Sequence, residues 1–135
     1  MTQHRDAGSA SVELVILAPL IGVLLLAVVV VGRVQVARAD VEGVARSAAR
    51  ELAIARDPAS SVESVRARVD SMLDAGSPSC RETSFTPEIS GQSVTVTIGC
   101  LVDLQSAGVL PVPGSITVTA TATEVVDVYR ERVGG

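Results

Sequence analysis

Eighteen consecutive residues without a charge, Leu14 to Val31, constrain this chain more than any other feature. At about 1.5 Å per residue they would form a helix roughly 27 Å long, which is close to the hydrocarbon thickness of a bilayer. Pro19 and Gly22 do not contradict a spanning helix, because transmembrane helices tolerate both residues. The run therefore predicts a membrane-crossing segment and leaves only part of the 135-residue chain to build a soluble core.

Three interpretations of this run are open. A cleavable signal peptide would end at the small-residue sequence "ARA" before Asp40, although the run is longer than a usual signal core and the leader carries little net charge. A plain membrane anchor needs no further feature. In the third interpretation "GSASVE" is a processing site, with cleavage after Gly8 and Glu13 as the fifth residue of the mature chain.

The third interpretation gains support from the residues on both sides of the run. Gly8 and Glu13 are followed by Pro19 early in the apolar segment, by Gly32-Arg33 just past it, and by an Ala- and Arg-rich continuation. This pattern is similar to a type IV prepilin cleavage motif and, over residues 8–53, resembles the TadE-like pilus assembly proteins of tight-adherence (Tad) systems. The resemblance implies a minor pilin or pseudopilin that is inserted with its N-terminus in the cytoplasm and cut after Gly8 by a prepilin peptidase.

The resemblance also implies a role for Glu13. After cleavage the new α-amino group would belong to Ser9, and in assembled pilins the glutamate at position five is thought to pair with the amino terminus of a neighbouring subunit. Such a pair offsets the cost of removing two charges from water. The alternative is that Glu13 marks the headgroup level at a helix N-terminus, where an acid costs little. Leu14 stands where major Tad pilins favour Tyr, which points away from the major subunit.

The partners implied by the resemblance are membrane lipid, the prepilin peptidase, other pilins or pseudopilins and the membrane proteins of the Tad machinery. The predicted fold class is α+β, with the architecture of a type IV pilin. Its expected parts are a leader peptide (1–8), a transmembrane helix (9–32), a stalk helix (33–57) and a small extracytoplasmic α+β domain (58–135).

Apolar spacing predicts two helices beyond the membrane. The stalk helix has a stripe of residues spaced by three or four, up to a break at Arg56–Pro58. This stripe consists of Val34, Ala37, Val41, Val44, Ala48, Leu52 and Ala55. It packs either on the chain's own small domain, on neighbouring subunits, or on both. A capping box at 60–63 predicts the second helix, which would end at Gly76 and face inward through Val62, Val65, Val69 and Met72.

Alternation of apolar and polar residues predicts three strands, near 81–88, 93–100 and 115–123. A turn at Ser90-Gly91 would join the first two strands and bring Cys80 and Cys100, each ten residues from Ser90, opposite one another. The spacing predicts a disulfide between them, and two free buried thiols are the alternative.

The side of the membrane on which the domain lies is predicted in opposite ways by two features. A disulfide would place residues 33–135 outside the cytoplasm. Four arginines follow the apolar run and only Arg5 precedes it, which by the positive-inside rule favours a cytoplasmic C-terminus. We give more weight to the cysteines and the prepilin-like opening.

The sequence lacks the residues that several classes of protein need for their function. The only histidine, His4, is in the leader, and no nucleophile elbow, phosphate-binding loop or metal-spaced cluster is present in the sequence. We therefore expect no enzyme activity, no cofactor and no metal, and the net charge of −4 argues against a nucleic-acid partner. The alternative to a pilin is an uncleaved, membrane-anchored extracytoplasmic binding or accessory module.

Overall fold

The computed structural model describes residues 6–75, 80–105 and 113–126. Its elements are helix α1 (Asp6–Ile54), helix α2 (Pro58–Ala75), and strands β1 (Glu82–Ile89), β2 (Ser93–Asp103) and β3 (Ser115–Val125). The chain divides into two compact units, with the boundary between Val34 and Gln35. The predicted α+β class, a long apolar helix, a short helix and an antiparallel sheet, is confirmed.

Helix α1 ends shortly before Asp57-Pro58, because the proline disfavours a helical conformation for the residue before it. Its last residue is Ile54, and the N–H of Ala55 donates to the carbonyl oxygen of Leu52 at 3.3 Å, which tightens the final turn. Glu42 and Arg46, four residues apart on α1, form an ion pair at 3.7 Å on the exposed surface, where such a pair contributes little to stability.

Helix α2 begins earlier than predicted, and the predicted capping box is wrong. Pro58 is the first helical residue, where its missing N–H costs nothing. Asp57 is the cap: its Oδ1 accepts hydrogen bonds from the N–H of Ala59 at 3.1 Å and of Ser60 at 3.4 Å. The hydroxyls of Ser60 and Ser61 donate to the Asp57 carbonyl oxygen instead of capping the helix themselves. The predicted stop at Gly76 lies outside the described residues.

The three strands form one antiparallel sheet in the order β1-β2-β3. All three predicted strands are present, and β2 and β3 extend further than the alternation suggested. Central strand β2 buries Val94, Val96, Ile98, Cys100 and Val102 on its inner face. The outer face is lined by threonines, and two pairs are hydrogen bonded between β2 and β3: Thr95 with Thr123 at 3.0 Å and Thr97 with Thr121 at 3.1 Å.

The hydrophobic core belongs to the unit that begins at Gln35 and is built from small and medium side chains. Along α1 the fully buried residues are Ala37, Val41, Ala45, Ala48, Ala49, Leu52 and Ala53. Four residues of the predicted stripe are therefore confirmed as buried, and its other three, Val34, Val44 and Ala55, are half-buried. The buried face is wider than the stripe, because it also includes Ala45, Ala49 and Ala53. On α2 the buried residues are Val65, Val69 and Leu73, whereas Met72, which was predicted to face inward, is 46% exposed.

Leu52 is the largest fully buried side chain of α1, so its truncation tests this core. We expect Leu52→Ala to lower the free energy of unfolding by about 2–5 kcal/mol, through lost burial and the cavity that remains. The matched control is Ile54→Ala, two residues away and 60% exposed, which should change it by no more than about 0.5 kcal/mol. The measurement is the urea midpoint for protease resistance of the full-length protein in detergent. Equal midpoints for the two variants would contradict this core.

Candidate functional site

The predicted processing and assembly residues lie at the beginning of α1. Gly8 and Ser9 are in its first turn, and Glu13 follows Ser9 by four residues, or about 6 Å along the helix axis. The Glu13 side chain is exposed. A helical backbone thus holds the Glu13 carboxylate one turn beyond the position that would become the mature amino terminus.

The apolar run after Glu13 is exposed along its whole length. Large side chains from Val12 to Val31 keep substantial fractions of their surface exposed, for example 71% for Leu14 and 60% for Leu25. The segment is long and apolar enough to cross a membrane, and no part of its most apolar window is buried. Soluble monomers rarely expose apolar patches of this size. The first part of α1 is therefore a candidate membrane anchor.

Pro19 lies inside α1 without ending it. Proline has no N–H to donate to the carbonyl four residues earlier, and in a soluble helix interior this costs about 3 kcal/mol or more. Gly22 follows within one turn, and a side chain at its position would contact no other part of the described chain. Both residues are commoner in transmembrane helices than in soluble ones. Their position is consistent with a membrane anchor.

The second predicted site is a disulfide, and Cys80 and Cys100 are joined with Cα atoms 5.3 Å apart. The pairing was predicted from a hairpin centred on Ser90, and that register is wrong. The turn is centred between residues 91 and 92, so the partner of Cys100 in β1 is Thr83. Cys80 precedes β1 by two residues and reaches Cys100 from outside the strand.

The residues next to the disulfide explain how Cys80 reaches it. The N–H of Arg81 donates to the carbonyl oxygen of Leu101 at 2.8 Å, which holds the chain before β1 against β2. The Arg81 guanidinium also lies 3.5 Å from a carboxylate oxygen of Asp103. Cys100 is fully buried and Cys80 half-buried. The disulfide therefore fastens the segment entering the sheet to the central strand.

Helices α1 and α2 are bridged by a partly exposed ion pair and border a cleft. Arg68 of α2 donates to a carboxylate oxygen of Glu51 of α1 at 2.8 Å. The α1–α2 cleft has a volume of about 410 Å³ and is mainly apolar. It is lined by Ala37, Ala39, Asp40, Val41, Gly43, Val44 and Ser47 of α1, Met72, Leu73 and Ala75 of α2, and both cysteines. Sequence reasoning missed this cleft, because it placed Met72 on the inner face of α2, whereas its side chain is 46% exposed.

Among residues 6–75, 80–105 and 113–126, no three histidine, cysteine, aspartate or glutamate side chains are grouped so that they could hold a metal ion. The sites that the structure does provide are an exposed apolar helix with an acid near its start, a disulfide and an apolar cleft.

Comparison with known proteins agrees with this arrangement. Residues 8–50 match the family model of the TadE-like proteins, so the resemblance seen in the sequence is confirmed for this segment. The match begins at Gly8 and ends within α1. TadE-like proteins belong to Tad pilus systems and are typically structural and not enzymatic. No curated protein and no solved structure matches the chain.

Removing the disulfide should destabilise the unit that begins at Gln35. Replacing both cysteines by alanine opens a loop spanning 20 positions and should lower the free energy of unfolding by about 3 kcal/mol. The measurement is again the urea midpoint for protease resistance of the full-length protein, with and without a reductant. Wild type should respond to the reductant and the double variant should not. A wild-type midpoint that is unchanged by reductant would contradict a stabilising disulfide.

Proposed function

We propose that this chain is a minor pilin or pseudopilin in the assembly of a Tad-type pilus, inserted as a single-pass membrane protein. The observation that carries the proposal is the TadE-like match, which begins at Gly8 and includes both Glu13 and the exposed apolar part of α1. A prepilin peptidase would cut between Gly8 and Ser9 and leave Glu13 as the fifth residue.

The exposed apolar surface supports insertion into a membrane and later transfer into a helix bundle. Fully removing one exposed Leu or Val side chain from water is favourable by about 1.5–3 kcal/mol of free energy. Lipid and the apolar helices of other subunits both provide such an environment. A subunit with this helix can therefore move from the bilayer into an assembly without exposing the helix to water.

The proposed role of Glu13 follows from the same transfer. Within a bundle of apolar helices, a carboxylate and a free amino group are each costly, and pairing them lowers the cost of both. Pairing between adjacent subunits would also define how far one helix is displaced along the next. Glu13 would thereby select the register of assembly as well as compensate its own charge.

The proposed topology has residues 1–8 as a cytoplasmic leader, 9–32 as the membrane span, 33–57 as a stalk helix and 58–135 as an extracytoplasmic domain. The disulfide supports this orientation, because disulfides persist mainly in oxidising compartments. The arginines after the apolar run favour the opposite orientation. One of these arginines, Arg46, is paired with Glu42 at 3.7 Å, but the rule counts arginines and lysines and not net charge, so the two features remain opposed.

Processing is tested at the cleavage site. The mature protein should begin at Ser9, and Gly8→Arg should leave an uncut form that migrates more slowly, because the peptidase could not accept the large charged side chain. N-terminal sequencing and intact mass of membrane-purified protein measure this, with Gly22→Ala as a control that keeps the opening intact. A mature chain beginning at Asp40 would establish a signal peptide, and an unprocessed N-terminus would establish the anchored accessory module.

Pairing by Glu13 is tested with three variants at matched membrane levels. Glu13→Ala should be inserted and cleaved normally but produce few surface pili, since a neighbour's ammonium group would lose its counter-charge. Glu13→Gln should resemble it, and Glu13→Asp should be intermediate because it keeps the charge with a shorter reach. If Glu13 only marks the headgroup level, its contribution is about 0.3–1 kcal/mol and all three variants should be piliated alike. Wild-type pilus counts for Glu13→Ala would rule out the pairing.

A further inference from the structure

The edge of β1 that faces away from β2 is blocked against a further strand. The N–H of Ser90 donates to the carbonyl oxygen of Ser93 at 2.9 Å, so residues at odd separations from Ser90 in β1 direct their backbone groups away from β2. One of them is Pro87, which has no N–H to offer. Another is Phe85, whose carbonyl oxygen accepts a hydrogen bond from the Arg66 guanidinium at 3.4 Å. Both features protect a sheet edge.

The edge of β3 that faces away from β2, here called the β3 edge, has neither protection. The N–H of Leu104 donates to the carbonyl oxygen of Gly114 at 3.0 Å, and the N–H of Val126 donates to that of Gln92 at 2.9 Å. These two bonds place the even-numbered residues of β3 in hydrogen-bonded pairs with β2, so the backbone groups of the odd-numbered residues point to the β3 edge. The odd-numbered residues are Ser115, Thr117, Thr119, Thr121, Thr123 and Val125. β3 contains no proline and no basic residue, and no strand of the described residues pairs with this edge.

We propose that β3 of one copy of this chain pairs antiparallel with β3 of a second copy, so that two three-stranded sheets form one sheet of six strands. The inference goes beyond the proposed function and does not depend on it, because it uses only the sheet of the unit that begins at Gln35. A contact between identical edges is closed by a two-fold axis. The protected edge of β1 then ends the sheet on both sides.

The spacing of the edge groups selects a register centred on Ala120. Only odd-numbered residues present backbone groups at the β3 edge, so an odd-numbered residue must face another odd-numbered residue. A pair centred on Ala120 meets this condition over all 11 residues of the strand, and Thr119 then faces Thr121. Displacing one strand by two residues in either direction would leave two residues of each strand unpaired.

The outer-face side chains of β3 fit this register. Between β2 and β3, Thr95 is already hydrogen bonded to Thr123 at 3.0 Å, and Thr97 to Thr121 at 3.1 Å. Threonines therefore pair across neighbouring strands of this sheet. In the proposed register Thr119 faces Thr121 and Thr117 faces Thr123, so the same pairing would continue from one copy to the next.

The inner-face side chains of β3 are also compatible with a second copy. In this register Ala120 faces Ala120, and Val118 faces Ala122, so only small and medium apolar side chains meet at the centre. The one charged residue of the strand, Glu124, faces Ile116. The two glutamates therefore lie at opposite ends of the pair and do not repel each other.

The register is tested with a cysteine at its centre in the full-length protein. Ala120→Cys would place two cysteines opposite each other in a non-hydrogen-bonded pair, where Cα atoms are about 4.5 Å apart and a disulfide can form. Ala122→Cys, on the same face of the same strand, is the matched control, because its two copies would lie roughly 14 Å apart. Oxidation in membranes of expressing cells should yield a disulfide-linked dimer for Ala120→Cys and none for Ala122→Cys.

Gels without reductant measure the dimer, and peptide mapping should join position 120 of one copy to position 120 of the other. No dimer for Ala120→Cys, or equal dimer for the two variants, would overturn the proposal.

The backbone hydrogen bonds at the β3 edge are tested with proline. The Thr119 N–H points to this edge and not to β2, so Thr119→Pro should leave the sheet intact, as Pro87 does in β1. In the Ala120→Cys protein it should lower the yield of linked dimer about tenfold, because each copy loses a donor. Thr119→Ala keeps the N–H and is the control. An undiminished dimer in Thr119→Pro protein that resists protease like wild type would overturn the proposal, and Thr123→Pro repeats the test at a second edge position.

The chain's own C-terminal segment, residues 127–135, is the competing occupant of the β3 edge. Deleting these residues from the Ala120→Cys protein should leave the yield of linked dimer unchanged. A dimer that forms only after the deletion would show that the full chain covers its own edge, and would overturn the proposal. Cleavage after Gly8 and the pilus counts are independent of these results, so the proposed function is decided by its own tests.

Discussion

The structure depends on apolar surface that the chain cannot bury by itself. From Val12 to Val31, α1 exposes valine, leucine and isoleucine side chains in an uninterrupted helix. In water this surface would drive aggregation, whereas lipid or a bundle of similar helices removes the cost. Glu13 lies at the beginning of this surface, where its carboxylate remains compatible with the membrane boundary. This surface is what makes the first part of α1 a candidate membrane anchor.

The unit that begins at Gln35 buries little apolar surface, because its core is small. Five of the seven buried residues of α1 after Gln35 are alanines, and the chain has one Phe, one Tyr and no Trp. Small side chains let elements pack closely but bury little apolar area each. The Cys80–Cys100 disulfide and the pair of Arg68 with Glu51 add connections between elements. The stability of this unit thus rests partly on a covalent link.

Elements with a clear residue period were predictable from the sequence. Helix caps and turns were not, because neighbouring residues compete for those positions. The apolar run, the α1 stripe and the strand alternation identified every element, since side-chain spacing reports directly on burial. The prediction of a capping box at 60–63 failed because Asp57 and Pro58 form a better helix start, with the cap three residues earlier. The hairpin register failed because the turn around residues 91 and 92 decides it. The cleft lies between two helices, so the spacing of residues along either helix alone does not predict it.

The central claim is that the apolar part of α1 spans the membrane with the disulfide-bonded unit outside the cytoplasm. Alkaline phosphatase fused after Gly135 tests it most directly, because that enzyme folds only where its own disulfides can form. The account predicts full phosphatase activity in intact cells, and no activity from a cytoplasmic reporter fused at the same position. An inactive phosphatase with an active cytoplasmic reporter would contradict the account and show that the arginines after Val31 determine the orientation.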